Sequence, residues 1–194
     1  MSQQLLFIPP DMPTSNSPPF PNCTYSIIYA DPPWQYDDQS KNRGGAARHY
    51  PTLSDHDIQN LPVSHIADEN SVLFLWATWA KLPAAMTTIL AWGFQYKTCA
   101  FLWAKRNKKA PSWFMGMGAY TRANTEPCLL AVRGNGLKRK SAKVHQIIEA
   151  PIGRHSAKPK ETGDRIIQLF GDQPRIELFA REKVEGWDAW GNEI

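Results

Sequence analysis

The chain has 194 residues, 42% of them hydrophobic and 21% charged, with a formal net charge of +4. That length suits one domain with a substantial core, and the ordinary apolar fraction excludes global disorder. The longest early apolar run, Leu5-Leu6-Phe7-Ile8, follows no basic segment and is far too short to span a bilayer, so neither a signal peptide nor a membrane helix is expected.

Residues 1–22 are rich in Pro, Ser and Asn and read as an extended arm, leaving 23–194 as a single domain. Tyr25 to Ala30 is a short apolar strand that ends abruptly in Asp31-Pro32-Pro33-Trp34. Consecutive prolines fix φ and cannot donate hydrogen bonds, so this turn is stiff and its carbonyls are expected to be free to accept. Strand tips are where open α/β sheets place their ligand chemistry. A carboxylate and carbonyl acceptors beside an exposed indole suit a planar heteroaromatic ring with an exocyclic amine. The bland alternative is a strand-ending turn with a chance tryptophan.

A polar loop runs from Gln35 to His49, and Tyr50-Pro51-Thr52-Leu53 leads into Ser54, the N-cap of a short helix through about Asn60. Val72 to Trp76 is a continuous apolar run, as a sheet buried on both faces requires. Residues 81–92 read as a helix closed by Gly93, and 94–104 as another strand. Residues 105–124 read as a long glycine-containing loop, of a length that is commonly functional. A strand over 127–133, a basic turn over 134–140 and a short strand over 144–148 follow. Lys158 to Phe170 has the spacing of an amphipathic helix, and Arg175 to Ala180 reads as the final strand. The aromatic tail Gly186 to Asn192 is expected to fold back on the domain. Strands alternating with helices give an α/β class with a mostly parallel sheet and antiparallel pairing near 127–148.

Cys23, Cys99 and Cys128 are widely spaced and form no CxxC pair; they fit reduced thiols in a cytoplasmic compartment, two of them in core strands. The five histidines show no ligand spacing, so no metal site is expected. Charge is distributed unevenly. Between Lys97 and Lys143 there are 11 Lys or Arg against one acid, Glu126, whereas the rest of the chain holds 11 basic and 17 acidic residues. Aromatics and glycines are interleaved with these cations, a pattern that favours a nucleic-acid surface over a merely solvated face.

Asp31-Pro32-Pro33-Trp34 resembles the DPPW signature of the MT-A-type adenine-N(6) methyltransferases, relatives of the catalytic subunit of the eukaryotic mRNA adenosine methyltransferase. Similarity continues in family order through Tyr50-Pro51-Thr52-Leu53-Ser54, Phe74-Leu75-Trp76, Trp103-Ala104-Lys105, Glu126-Pro127-Cys128-Leu129 and Val132-Arg133-Gly134-Asn135. It resumes at His155-Ser156-Ala157-Lys158-Pro159-Lys160-Glu161, Glu177-Leu178-Phe179-Ala180-Arg181 and Gly191-Asn192-Glu193. The resemblance implies a Rossmann-like, S-adenosylmethionine-dependent methyltransferase fold in which the catalytic motif precedes the cofactor elements, a permuted order.

Carried over residue by residue, the resemblance makes Asp31, Pro32, Pro33 and Trp34 catalytic. Asp31, His155, Ser156, Lys158, Arg181, Asn192 and Glu193 become cofactor residues, with Lys158 on the methionine carboxylate. Glu193 stands where the eukaryotic relative has Gln, and Lys183-Val184 where it has His-Asn. Tyr50, Lys105, Arg106, Trp113, Arg122, Glu126 and the turn Lys138-Arg139-Lys140 are the candidates for holding a nucleic-acid strand, Glu126 either reading the base or orienting Lys105. Three readings stand. The first is adenine methylation in DNA, which the compact chain favours and which fits a bacterial or phage enzyme. The second is the same reaction on RNA, and the third a catalytically inactive nucleic-acid-binding subunit. A homodimer is left open, and no membrane partner is expected.

Overall fold

The structure is a computed structural model that describes residues 18–36, 52–118, 120–153, 157–192 and 194. The first 17 residues of the expected arm, the loop containing Tyr50, and His155, Ser156 and Glu193 lie outside the described residues. Strand β1 (Tyr25–Ala30) is followed by helices α1 (Asp55–Gln59) and α2 (Val63–Ile66), strand β2 (Ala67–Trp76) and helix α3 (Leu82–Ala91). Strands β3 (Gln95–Arg106), β4 (Thr125–Arg133) and β5 (Ile147–Pro151) come next, then helix α4 (Glu161–Phe170) and strands β6 (Arg175–Leu178) and β7 (Asp188–Trp190).

Local chemistry accounts for most of these boundaries. Ser54 caps α1, its hydroxyl accepting from the Asp57 N–H at 3.1 Å. Gly93, at φ +81°, ends α3 in the left-handed conformation. Pro159 pushes Lys158 out of the helical region, so the helix expected from Lys158 starts at Glu161 instead. The strand expected at 144–148 lies later, at β5. Arg175 to Leu178 is not the last strand, because the aromatic tail folds back as β7.

The seven strands form one sheet in the order β5-β3-β4-β2-β1-β6-β7. β4 alone runs against the rest, antiparallel to β2 and β3; the other four pairings are parallel. The antiparallel part is therefore narrower than expected, since β5 pairs parallel with β3. This is a mixed α/β sheet of Rossmann-like methyltransferase type.

Side chains alternate between two cores. Ile28, Ala30, Leu73, Leu75, Leu129 and Ile176 pack under α1 to α3 with Trp92 and Phe94. On the other face, Ile27, Tyr29, Phe74, Trp76, Trp103 and Cys128 pack with Ile166 and Phe170 of α4. Burial on both faces is why the stretches Ile27 to Ala30 of β1 and Val72 to Trp76 of β2 read as unbroken apolar runs. The described end of the arm docks too: Pro18 accepts from the Trp190 indole N–H at 2.9 Å, and Phe20 lies 4.5 Å from that ring. Among the described residues, no helix is long and apolar enough to cross a membrane.

Candidate active site

β1 sits between β2 and β6, so the chain leaves its tip toward one side of the sheet and returns at β6 from the other. Such a switch point opens a crevice at the carboxyl edge of an α/β sheet. Asp31 follows Ala30 directly into it. Arg181 lies just past the β6 tip, and β5 ends beside Arg106 before the chain reaches Lys158. Residues 127 positions apart in sequence thus meet at one corner.

Lys158 Nζ donates to both oxygens of Asp31, at 2.7 Å from Oδ1 and 2.8 Å from Oδ2. It also lies 3.5 Å from Glu126 Oε2, and Lys105 Nζ donates to the other Glu126 oxygen. Four charges therefore alternate along one line: Asp31, Lys158, Glu126, Lys105. All four side chains are at most 20% exposed, which strengthens each contact in the chain. Burial raises the Asp31 carboxyl above its ordinary value; Lys158 opposes that rise and Glu126 adds to it. Ionisation of Asp31 consequently depends on the lysine.

Two expectations about this corner are corrected. Trp34 is not an open stacking face: it is only 4% exposed, and its indole N–H donates to the Trp76 carbonyl at 3.1 Å. The indole pins the turn to the end of β2. Nor are the proline carbonyls free. Pro32 accepts from the Trp34 N–H at 2.9 Å and Pro33 from the Leu53 N–H at 3.0 Å. Buried backbone donors demand partners, and these carbonyls supply them. A carbonyl oxygen has two lone pairs, so Pro32 keeps one acceptor position. The accessible aromatic is Tyr36, 36% exposed, whose hydroxyl lies 2.8 Å from Thr78 Oγ1.

Two cavities flank the corner. The smaller, about 130 Å³, is walled by Pro32, Trp34, Tyr36, Thr78 and Glu126. The larger, about 650 Å³, is walled by Tyr29, Gly163, Glu177, Phe179 and Trp187. Asp31, Lys158 and Arg181 border both. Glu177 stands opposite Tyr29 in the β1–β6 register; burial first, then Asp31 and Glu182, push its carboxyl up to about 7. Phe179, at φ +62°, is the one non-glycine residue with left-handed backbone among the described residues, and it lies at the β6 tip.

The remaining candidates divide. Arg106 stacks over the Trp113 ring at 3.5 Å and pairs with Glu149 at 2.7 Å, at the same edge as Asp31. Arg122 lies on the loop joining β3 to β4 there. Lys138-Arg139-Lys140 does not come to the site. β4 carries the chain to the opposite edge, where the Lys140 N–H donates to the carbonyl of Leu169 near the end of α4. Asn192 follows β7 near the β6 tip but is exposed, and the larger cavity is walled without it. Tyr36, Glu177 and Phe179 were missed as site residues. Tyr36 had a readable signal, a second aromatic two positions after Trp34, and Glu177 was a lone acid between the apolar Ile176 and Leu178.

A mostly parallel sheet with one reversed strand, carrying an acidic corner between two cavities at its switch point, defines a methyltransferase-type α/β domain. The MT-A70 family model matches residues 25–193, and the chain belongs to that family of S-adenosylmethionine-dependent adenine-N(6) methyltransferases. It is 36% identical to the type II methyltransferase M.MunI of Mycoplasma sp. over 91% of this chain and 81% of that one. It is 24% identical to the N(6)-adenosine-methyltransferase MT-A70-like of Arabidopsis thaliana over 88% of this chain. Identity to the human N(6)-adenine-specific methyltransferase METTL4 is 26%, again over 88% of this chain. The chain spans only 24% and 38% of the lengths of these last two.

Proposed function

We propose that this chain methylates the exocyclic amine of adenine in DNA, with S-adenosylmethionine in the larger cavity and the flipped adenine in the smaller. The observation that carries the reading is the shared border: a carboxylate and two cations stand where the two cavities meet. The larger cavity fits the cofactor by volume and by chemistry, since pockets for ligands of this size run to roughly 300–1,000 Å³. Lys158 and the start of α4 would hold its carboxylate, and Glu177 with Arg181 its polar groups. The bound cofactor supplies an electrophilic methyl on a good leaving group.

Every other part of the chemistry belongs to the protein. The amine's lone pair is delocalised into the purine ring, which makes it a weak nucleophile. Asp31 and the remaining lone pair of the Pro32 carbonyl accept the two amine hydrogens, drawing the nitrogen toward tetrahedral geometry. Lys158 keeps Asp31 ionised for that task despite its burial. Trp34 and Tyr36 wall the ring, and Thr78 anchors Tyr36. Fixing two reactants in line supplies on the order of 7–11 kcal/mol of barrier reduction. Asp31 acts by orientation and electrostatics more than as a strong base, because the amine becomes acidic only as its bond to methyl forms.

Likeness to M.MunI, named as a type II methyltransferase of Mycoplasma sp., over most of both chains supports DNA as the substrate and a bacterial setting. RNA is the runner-up, carried by the Arabidopsis relative named as an adenosine methyltransferase. The test is methyl transfer from labelled cofactor to double-stranded DNA, single-stranded DNA and RNA, followed by nucleoside mass spectrometry. N6-methyladenine formed fastest in DNA is the expected product. Methyl groups confined to RNA, or absent from all three, would overturn the reading.

A further inference from the structure

The loop between β3 and β4 is built from two successive hairpins. Arg106 and Trp113 form the antiparallel bridge of the first, and Gly116 and Ala123 that of the second, with hydrogen bonds of 3.0 and 3.3 Å between the backbones of the second pair. A methyl group at Gly116 would sit 2.4 Å from the Ala123 carbonyl oxygen, and one at Gly118 only 1.9 Å from that of Thr121. The two glycines therefore let the strands close into a tight tip. That tip is apolar: Met117 is 76% exposed and Tyr120 fully so, at 103%. Exposed side chains of this kind on a soluble domain mark a contact surface.

Its surroundings point to the occupant. No Asp or Glu occurs between Arg106 and Glu126, while Lys108, Lys109 and Arg122 all fall within the loop. Both hairpins spring from the site itself: the Phe114 N–H donates to the Lys105 carbonyl at the foot of the first, and the Lys105 N–H donates to the Asn124 carbonyl at the foot of the second, where the Trp79 indole N–H also donates to Thr125 Oγ1 at 2.9 Å. The smaller cavity beside it, about 130 Å³, has room for a single planar ring and none for a duplex. A duplex substrate must therefore lose one base from its stack, leaving a gap that closes again unless something apolar fills it.

We propose that Met117 and Tyr120 are a wedge that enters the DNA stack and fills the gap left by the flipped adenine. Tyrosine offers a flat ring to the neighbouring base, and methionine adapts to an irregular gap. Arg122 on the same hairpin, with Lys108 and Lys109 on the neighbouring one, holds the phosphates on either side. This inference rests on the DNA reading above and assigns that site a fully paired duplex as its substrate.

The test uses Met117→Ser with Tyr120→Ser in the full chain, after the methylated site has been mapped by sequencing treated genomic DNA. Three oligonucleotides carry that site: a paired duplex, the same duplex with an abasic nucleotide opposite the target adenine, and the single strand. The variant is expected to lose on the order of 10- to 100-fold in kcat/KM on the paired duplex only, because the other two substrates need no base pair opened. With 2-aminopurine at the target position, wild type should brighten the paired duplex on binding and the variant should not. Equal losses on all three substrates, no loss on any, or a loss that tracks dissociation of a dimer on gel filtration would each overturn the wedge. Failure of the DNA reading itself would look different, because wild type would then be inactive on every DNA substrate.

Discussion

The basic stretch of this chain ends up on two opposite edges of one sheet. Lys105, Arg106, Lys108, Lys109 and Arg122 gather at the carboxyl edge with Asp31, whereas Arg133 and Lys138 to Lys143 lie at the far edge with the last turn of α4. Nine residues of β4 separate them, a run of roughly 30 Å at the usual strand rise. A charge run in sequence is therefore not one surface. At the far edge Arg133 serves the fold, donating to the Ser64 carbonyl at 2.6 Å, and the Lys140 backbone N–H caps α4. The near-edge cations stand on the charge line that reaches Asp31, or on the two hairpins between β3 and β4.

The largest effect expected from this contrast is at Lys158. Replacing it with Met leaves Asp31 buried without its ammonium, so the carboxyl titrates higher still, and the protonated form loses its charge and accepts from the amine only weakly. Turnover near neutral pH should fall on the order of 100-fold and recover in part as pH rises, as seen in a pH–rate profile. A fall with an unchanged profile would show that Lys158 serves binding alone. Next in size, Arg106→Gln with Arg122→Gln should weaken duplex binding by about 10-fold or more and flatten its salt dependence. Lys138, Arg139 and Lys140 all changed to Gln should alter neither by more than about 2-fold. Equal effects at both edges, by fluorescence anisotropy across a salt series, would erase the distinction.

Glu177 gives a smaller effect with a definite sign. Its carboxyl is pushed up to about 7 in the fold, so the stability it permits is fully present below its ordinary range near 4.5 and is lost as pH rises through about 7. The protein without cofactor should therefore melt at lower temperature at pH 8 than at pH 5.5, and Glu177→Gln should flatten that slope. Because the ionised form suits a cationic ligand, cofactor affinity should rise over the same interval in wild type and not in the variant. The smallest effect is structural. Trp34→Phe removes the hydrogen bond to the Trp76 carbonyl and should cost about 1–3 kcal/mol in a urea melt.

Legibility in the sequence followed the range of the physics involved. Elements set by local chemistry were readable: the apolar run of β1, the Ser54 cap and the Gly93 stop. So was the Asp31 corner, because a strand tip, two prolines and a carboxylate are contiguous. What failed depended mostly on distant partners. Trp34 read as exposed because only the fold reveals Trp76 above it. The Pro33 carbonyl read as free because Leu53 returns to it from a separate segment, and the Pro32 carbonyl because the tight local turn to the Trp34 N–H was missed. The Lys138-Arg139-Lys140 turn read as part of the site although antiparallel pairing was expected near 127–148, because nothing local says at which edge of the sheet β4 ends. Glu177 went unassigned because its companions, Tyr29 and Asp31, arrive from the other end of the chain.

Everything turns on whether Asp31 acts on the reacting amine or merely anchors Lys158. The direct measurement is single-turnover methyl transfer by Asp31→Asn, with cofactor and duplex DNA at concentrations shown by binding assays to saturate the variant. The amide keeps the shape but loses the charge and one acceptor, so both ligands should bind while the methyl-transfer rate falls on the order of 1,000-fold. A rate within about 3-fold of wild type would leave the two cavities without a catalytic group between them and contradict the assignment.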